Sequence, residues 1–116
     1  MIKYVYEIDY PFGENGQRKY LEWVRSIADT LQAPGELKRL ASYDNAFSAT
    51  PHRVVEFTFD SLEDAARYFG RKEISLIFQS ELLAHGTNIG IKVLALRGDY
   101  SKDAVTGPTI AGADQS

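Results

Sequence analysis

The apolar positions change period along the chain, and each change marks an element. From residue 2 to residue 10, Ile2, Tyr4, Tyr6 and Ile8 alternate with Lys3, Glu7 and Asp9, the period-two pattern of a half-buried strand. Pro11 and Gly13 close it. Between residues 17 and 31 the apolar set becomes Tyr20, Trp23, Val24, Ile27 and Leu31, a helical stripe with Arg18, Lys19, Glu22, Arg25 and Asp29 opposite. Pro34 and Gly35 stop that helix. Residues 36–47 and 53–59 read as two more strands, with Asp44, Asn45, Ser48, Thr50 and Pro51 marking a turn-rich connection. Ser61 stands as a helix N-cap with Asp64 three residues on. Leu62, Ala65, Ala66 and Phe69 carry this helix to a pause at Gly70, and Ile74, Ile77, Phe78 and Leu82 resume it, so two helical pieces are expected. After Gly86, the run Ile89, Ile91, Val93, Leu94, Ala95 and Leu96 is a last strand.

The resulting order is β-α-β-β-α-β, an α+β class in which two helices cover one face of a four-stranded sheet, the ferredoxin-like sandwich. Residues 1–98 form one domain. Residues 99–116 lose large apolar side chains and are expected to be a flexible C-terminal tail. Strands one and three are expected as parallel neighbours, with strand four on the far side of strand one. Alternation then assigns faces. Val55, Phe57 and Phe59 join Tyr4 and Tyr6 under the helices. Lys3, Val5, Glu7, Asp9, Val54, Glu56, Thr58, Gly90, Lys92, Leu94 and Leu96 form the open face.

The segment RVVEFTFDSLEDAARYF superficially resembles the third strand and second helix of an RNA-recognition motif. Aligned on Phe59, that likeness puts His52 at the motif's basic position, Arg53 at its glycine, and Val54 and Glu56 where two rings should stack on bases. Both rings are missing. A net charge of −3 adds no attraction for phosphates, so nucleic acid is not an expected partner.

An open face that mixes aliphatics with charges of both signs suits packing against an identical face across a two-fold axis. By element order over residues 2–98, and by VVEFTFDSLEDAARYF, the chain resembles the dimeric α+β barrel superfamily. Its relatives include antibiotic-biosynthesis-type monooxygenases, muconolactone-isomerase-like enzymes and stress-responsive A/B barrel proteins. The resemblance implies a homodimer, and a small-molecule enzyme of the cofactor-less monooxygenase or isomerase kind. The rival expectation is a non-catalytic ligand-binding or assembly module on the same scaffold, because fold alone does not assign function.

Composition narrows the chemistry. With 116 residues, 44% of them hydrophobic, the chain has material for one core. The absence of cysteine removes disulfides, thiol nucleophiles and thiolate metal sites. No stretch approaches an apolar membrane span and no signal-peptide pattern opens the sequence, so a cytoplasmic protein without membrane contact is expected. There is no phosphate loop and no nucleophile elbow. Neither His52 nor His85 has a ligand-spaced partner, so no metal and no cofactor are expected.

Three residues are catalytic candidates. Glu7 and Glu56 share the open face with Lys92, where crowding of two carboxylates would suit a general base, and where pairing with Lys3 and Lys92 would instead make a balanced charge network. His85 lies at the end of the last helix, where sites often form. Tyr6, Tyr20, Trp23 and Phe57 converge by periodicity on one interior between the first helix and the sheet. Their rings predict an apolar cavity of roughly 300 Å³ or more with a few polar groups, able to accept a small aromatic or acyl compound.

Overall fold

A computed structural model describes residues 1–10, 13–47, 50–86 and 88–100. Most of the expected tail, residues 101–116, lies outside the described residues. Strand β1 spans Ile2–Asp9, helix α1 Gly13–Gln32, strand β2 Arg39–Asp44 and strand β3 Arg53–Phe59. Helices α2 and α3 cover Leu62–Gly70 and Lys72–Leu76, a π-helical turn runs through Ile77–Glu81, α4 covers Leu82–His85, and strand β4 covers Asn88–Ala95. Among the described residues, no helix is long and apolar enough to cross a membrane.

The sheet order is β2-β3-β1-β4, and every pairing is antiparallel. The expectation that strands one and three run parallel is therefore wrong. Each helical crossover joins two parallel strands, β1 with β2 and β3 with β4, and leaves one strand's width between them. The β2–β3 hairpin then forces β3 to run against β1 when it fills that gap.

Strand β2 is shorter than expected because turns take both its ends. Leu37 donates to the carbonyl of Pro34 at 3.3 Å, extending the turn after α1. At the other end the Asn45 side chain accepts from the Phe47 amide at 3.0 Å, a local side-chain turn that competes with strand pairing. Helix α1 starts four residues before the expected residue 17, opening on Gly13 at φ 85°, a left-handed conformation suited to glycine.

Ser61 caps α2 as its spacing suggested, accepting from the Asp64 amide at 3.1 Å. The interruption after α2 falls on Arg71, which is extended at ψ 138°. Its guanidinium grips the Glu36 carboxylate with two bonds of 3.0 and 3.1 Å, and those bonds hold Glu36 below the usual carboxylate range. The helical break is thereby tied to the turn that precedes β2.

Helices lie on one face of the sheet over a core built largely of rings. Phe59 is fully buried and touches Tyr4, Tyr68 and Phe69 at centroid distances of 5.9, 5.2 and 5.6 Å. Tyr68, also fully buried, donates its hydroxyl to the carbonyl of Leu31 at 2.6 Å. That bond satisfies one of the carbonyls left open at the C-terminal end of α1 and pins the helix against α2.

Candidate functional site

Between α1 and the sheet lies a cavity of about 260 Å³, slightly smaller than the sequence suggested. Tyr6, Tyr20, Trp23 and Phe57 all line it. Each arrives from a different piece of patterning: Tyr6 from the helix-facing parity of β1, Phe57 from that of β3, and Tyr20 and Trp23 from one face of α1. Ile27 and Leu31 continue the wall along α1, while Ile77, Phe78 and Leu82 close the far side from the π turn and α4. The wider π turn sits next to this wall, a place where such turns often occur.

The tyrosines carry the polar interest. Tyr20 is 2% exposed and Tyr6 is 7% exposed, and among the described residues neither hydroxyl has a hydrogen-bond partner. Tyr68, by contrast, uses its hydroxyl in the core. Burial, assisted by neighbouring Tyr4, pushes the Tyr6 hydroxyl from 10.0 up to about 12. Burial also takes Tyr20 to about 12, with Arg53 pulling it down and Tyr10 and Asp44 pushing it up. Both are therefore protonated donors at neutral pH, and buried donors without partners are uncommon in folded proteins.

Trp23 forms one rim of the cavity. Its indole donates to the Glu81 carboxylate at 3.0 Å, and its ring stacks on His85 at 4.7 Å with 15° between planes. His85 thus stands behind Trp23, outside the lining. As a catalytic candidate it does not reach the cavity; it buttresses a wall.

Glu7 and Glu56 lie on the opposite, open face of the sheet. In register, Glu56 faces Val5, and Val5 faces Lys92 on its other side. Each carboxylate holds its own lysine: Glu56 with Lys3 at 3.2 Å, and Glu7 with Lys92 at 3.1 Å. Val5, flanked by these long side chains, is buried even without a covering layer. This is the balanced charge network, and it lies across the sheet from the cavity.

Sequence reasoning missed Arg53 as a lining residue. Among the described residues it is the only charged one in the cavity wall, and Ser42, Gln32 and the tyrosines supply other polar groups. The signal was present in the alternation, since Arg53 shares the parity of Val55, Phe57 and Phe59. Among the described residues, no group of three or more His, Asp or Glu is placed to hold a metal ion.

No protein-family model matches the sequence, and no curated protein matches it closely enough to count as a relative. Solved structures do match in shape. A DABB family protein with a ferredoxin-like fold from Mesorhizobium loti superposes with a TM-score of 0.68 at 10% identity, covering 84% of this chain and 97% of its own. An antibiotic biosynthesis monooxygenase gives 0.67 at 8% identity, covering 84% and 100%. SnoaB from Streptomyces nogalater, a cofactor-independent oxygenase solved as a single-site variant, gives 0.69 at 10% identity, covering 84% and 94%. With its four-stranded antiparallel sheet, helices on one face and a cavity beneath α1, this chain has the ferredoxin-like α+β fold that DABB and antibiotic-biosynthesis-monooxygenase-like proteins share.

Proposed function

We propose that this chain binds a small aromatic or acyl compound in the cavity between α1 and the sheet, and works as a homodimer through its open sheet face. The carrying observation is the cavity itself: an apolar space of about 260 Å³ whose wall holds two buried tyrosine hydroxyls without protein partners among the described residues. An engineered apolar cavity of roughly 150 Å³ admits benzene, so this one has room for a ring with a short side chain. The hydroxyls would then donate to a polar atom of the guest and fix its orientation.

Trp23 is the only tryptophan in the sequence and forms part of the wall, so occupancy has a direct reporter. Titration with phenylacetate or cinnamate is expected to change its fluorescence saturably. Tyr20→Phe, which keeps the ring and removes the donor, is expected to weaken binding about three- to tenfold, the usual worth of one hydrogen bond. Absence of saturable change, with calorimetry also silent, would overturn the reading.

The enzymatic form of the proposal is cofactor-less oxygenation or isomerisation. Its support is the likeness to a cofactor-independent oxygenase together with two phenols kept protonated beside the guest, donors able to stabilise an enolate as it develops. Glu7, Glu56 and His85 have no part in it, since none lines the cavity.

The dimer half of the proposal rests on the open face. Tyr43 at one edge and Leu94 at the other are about half exposed, and the two ion pairs between them offer both signs of charge to a second copy of the same face. Light scattering is expected to give twice the 13.0 kDa chain mass at micromolar concentration. A mass of one chain would remove this half and leave the cavity reading standing.

A further inference from the structure

We propose that the guest is an anion, a small aromatic or acyl carboxylate whose head is held by the Arg53 guanidinium and the Tyr20 hydroxyl while its apolar body fills the cavity. The inference rests on the cavity reading above and names the class of compound that reading leaves open.

The placement of Arg53 motivates it. The residue begins β3 on the helix-facing side, where alternation calls for an apolar side chain and where Val55, Phe57 and Phe59 follow. Its side chain is only 17% exposed. Keeping a guanidinium against an apolar wall carries a desolvation cost unless its donors are used. Its Nε donates to Ser42 Oγ at 2.8 Å and one Nη donates to Asp44 Oδ1 at 3.3 Å. A guanidinium has five N–H groups in a planar fork, so among the described residues the second Nη is left without a partner.

Asp44 compensates the charge only in part. Its carboxylate is 77% exposed and makes one long contact, so water screens much of the attraction. Arg53 also stands close enough to Tyr20 for its charge to oppose the effect of burial on that hydroxyl. Two donors therefore line one cavity whose wall is mostly apolar, one of them cationic and fork-shaped. A carboxylate uses both, since its two oxygens can accept from the guanidinium and from the phenol. A neutral amide of the same shape satisfies the geometry but forgoes the charge. The chain's net charge of −3 gives no general attraction for anions, so any preference must arise locally at this site.

Matched acid and amide pairs test this: phenylacetate against phenylacetamide, cinnamate against cinnamamide, octanoate against octanamide. Each is titrated into the intact protein near neutral pH and followed by Trp23 fluorescence and calorimetry. The acid of at least one pair is expected to bind at least about tenfold tighter than its amide, the scale of a charge-assisted hydrogen bond. In Arg53→Met that advantage should shrink to about twofold or less while amide affinity holds, and Arg53→Lys should fall between. Should Arg53→Met not fold, the comparison in the unaltered protein still decides. Amides binding as tightly as acids would overturn the anion assignment and leave the cavity reading intact. If none of the six compounds binds, the cavity reading fails and the anion assignment fails with it.

Discussion

Raising the pH from about 10 to about 12 is expected to unfold the domain, because Tyr6 and Tyr20 are both pushed up by about that interval on folding. An unfolded chain releases these protons near 10.0, whereas the folded chain holds them to about 12. Between those values the unfolded state binds fewer protons, so stability falls as pH rises; below the unfolded value the contribution is complete and flat. Two units correspond to about 2.7 kcal/mol for each group, or on the order of 5 kcal/mol for the two together. Burial raises Tyr68 as well, which acts in the same direction. Since whole domains are stable by only about 5–15 kcal/mol, this is enough to bring the midpoint into the alkaline range. Tyrosinate absorbance followed beside circular dichroism should show these phenols ionising together with the loss of secondary structure. A melting temperature unchanged across the interval would mean that water already reaches both hydroxyls.

Phe59→Ala is expected to cost about 3–5 kcal/mol, the range for removing a fully enclosed phenylalanine. The ring is 0% exposed, and Tyr4, Tyr68 and Phe69 all pack on it, so the space it vacates cannot readily collapse. The melting temperature should drop by roughly 15–30 °C in thermal denaturation. Phe47→Ala is the control: Phe47 is 91% exposed and its loss should change stability by less than about 0.5 kcal/mol. A loss of under about 1 kcal/mol at Phe59 would mean that the ring cluster is not the mechanical centre of the fold.

Much of this arrangement is legible in the residues themselves. Alternation in residues 2–10 and 53–59 assigns helix-facing and open-face side chains correctly, because a strand has only two faces and one of them must be buried. The same rule, joined to the helical stripe of Tyr20, Trp23, Ile27 and Leu31, brings the cavity's walls together before any coordinates are known. What alternation does not carry is pairing. It puts Lys3 and Lys92 on the same face as Glu7 and Glu56, but register across strands decides between crowded carboxylates and two neutralised pairs, and the pairs are what form. The π turn was equally hidden, since Ile74, Ile77, Phe78 and Leu82 fit an ordinary helix as well as one that widens midway. Arg53 was passed over for a different reason: a charged residue in an apolar position reads as a strand terminus until a cavity is seen behind it.

The position of β1 at the centre of the sheet has a kinetic side. Its two partners are β3 and β4, and the bond between Glu7 and Lys92 joins residues 85 apart in sequence. The central strand therefore gains its hydrogen bonds only after long segments of chain have been closed into loops, and that entropy is lost before any pairing compensates for it. Until then Tyr4, Tyr6 and Ile8 have no sheet to belong to, and α1 is the nearest apolar surface in sequence that can shelter them. Folding of this domain should accordingly be limited by the search that unites β1 with β3 and β4, with the hairpin of β2 and β3 and the helices forming early because their contacts are local.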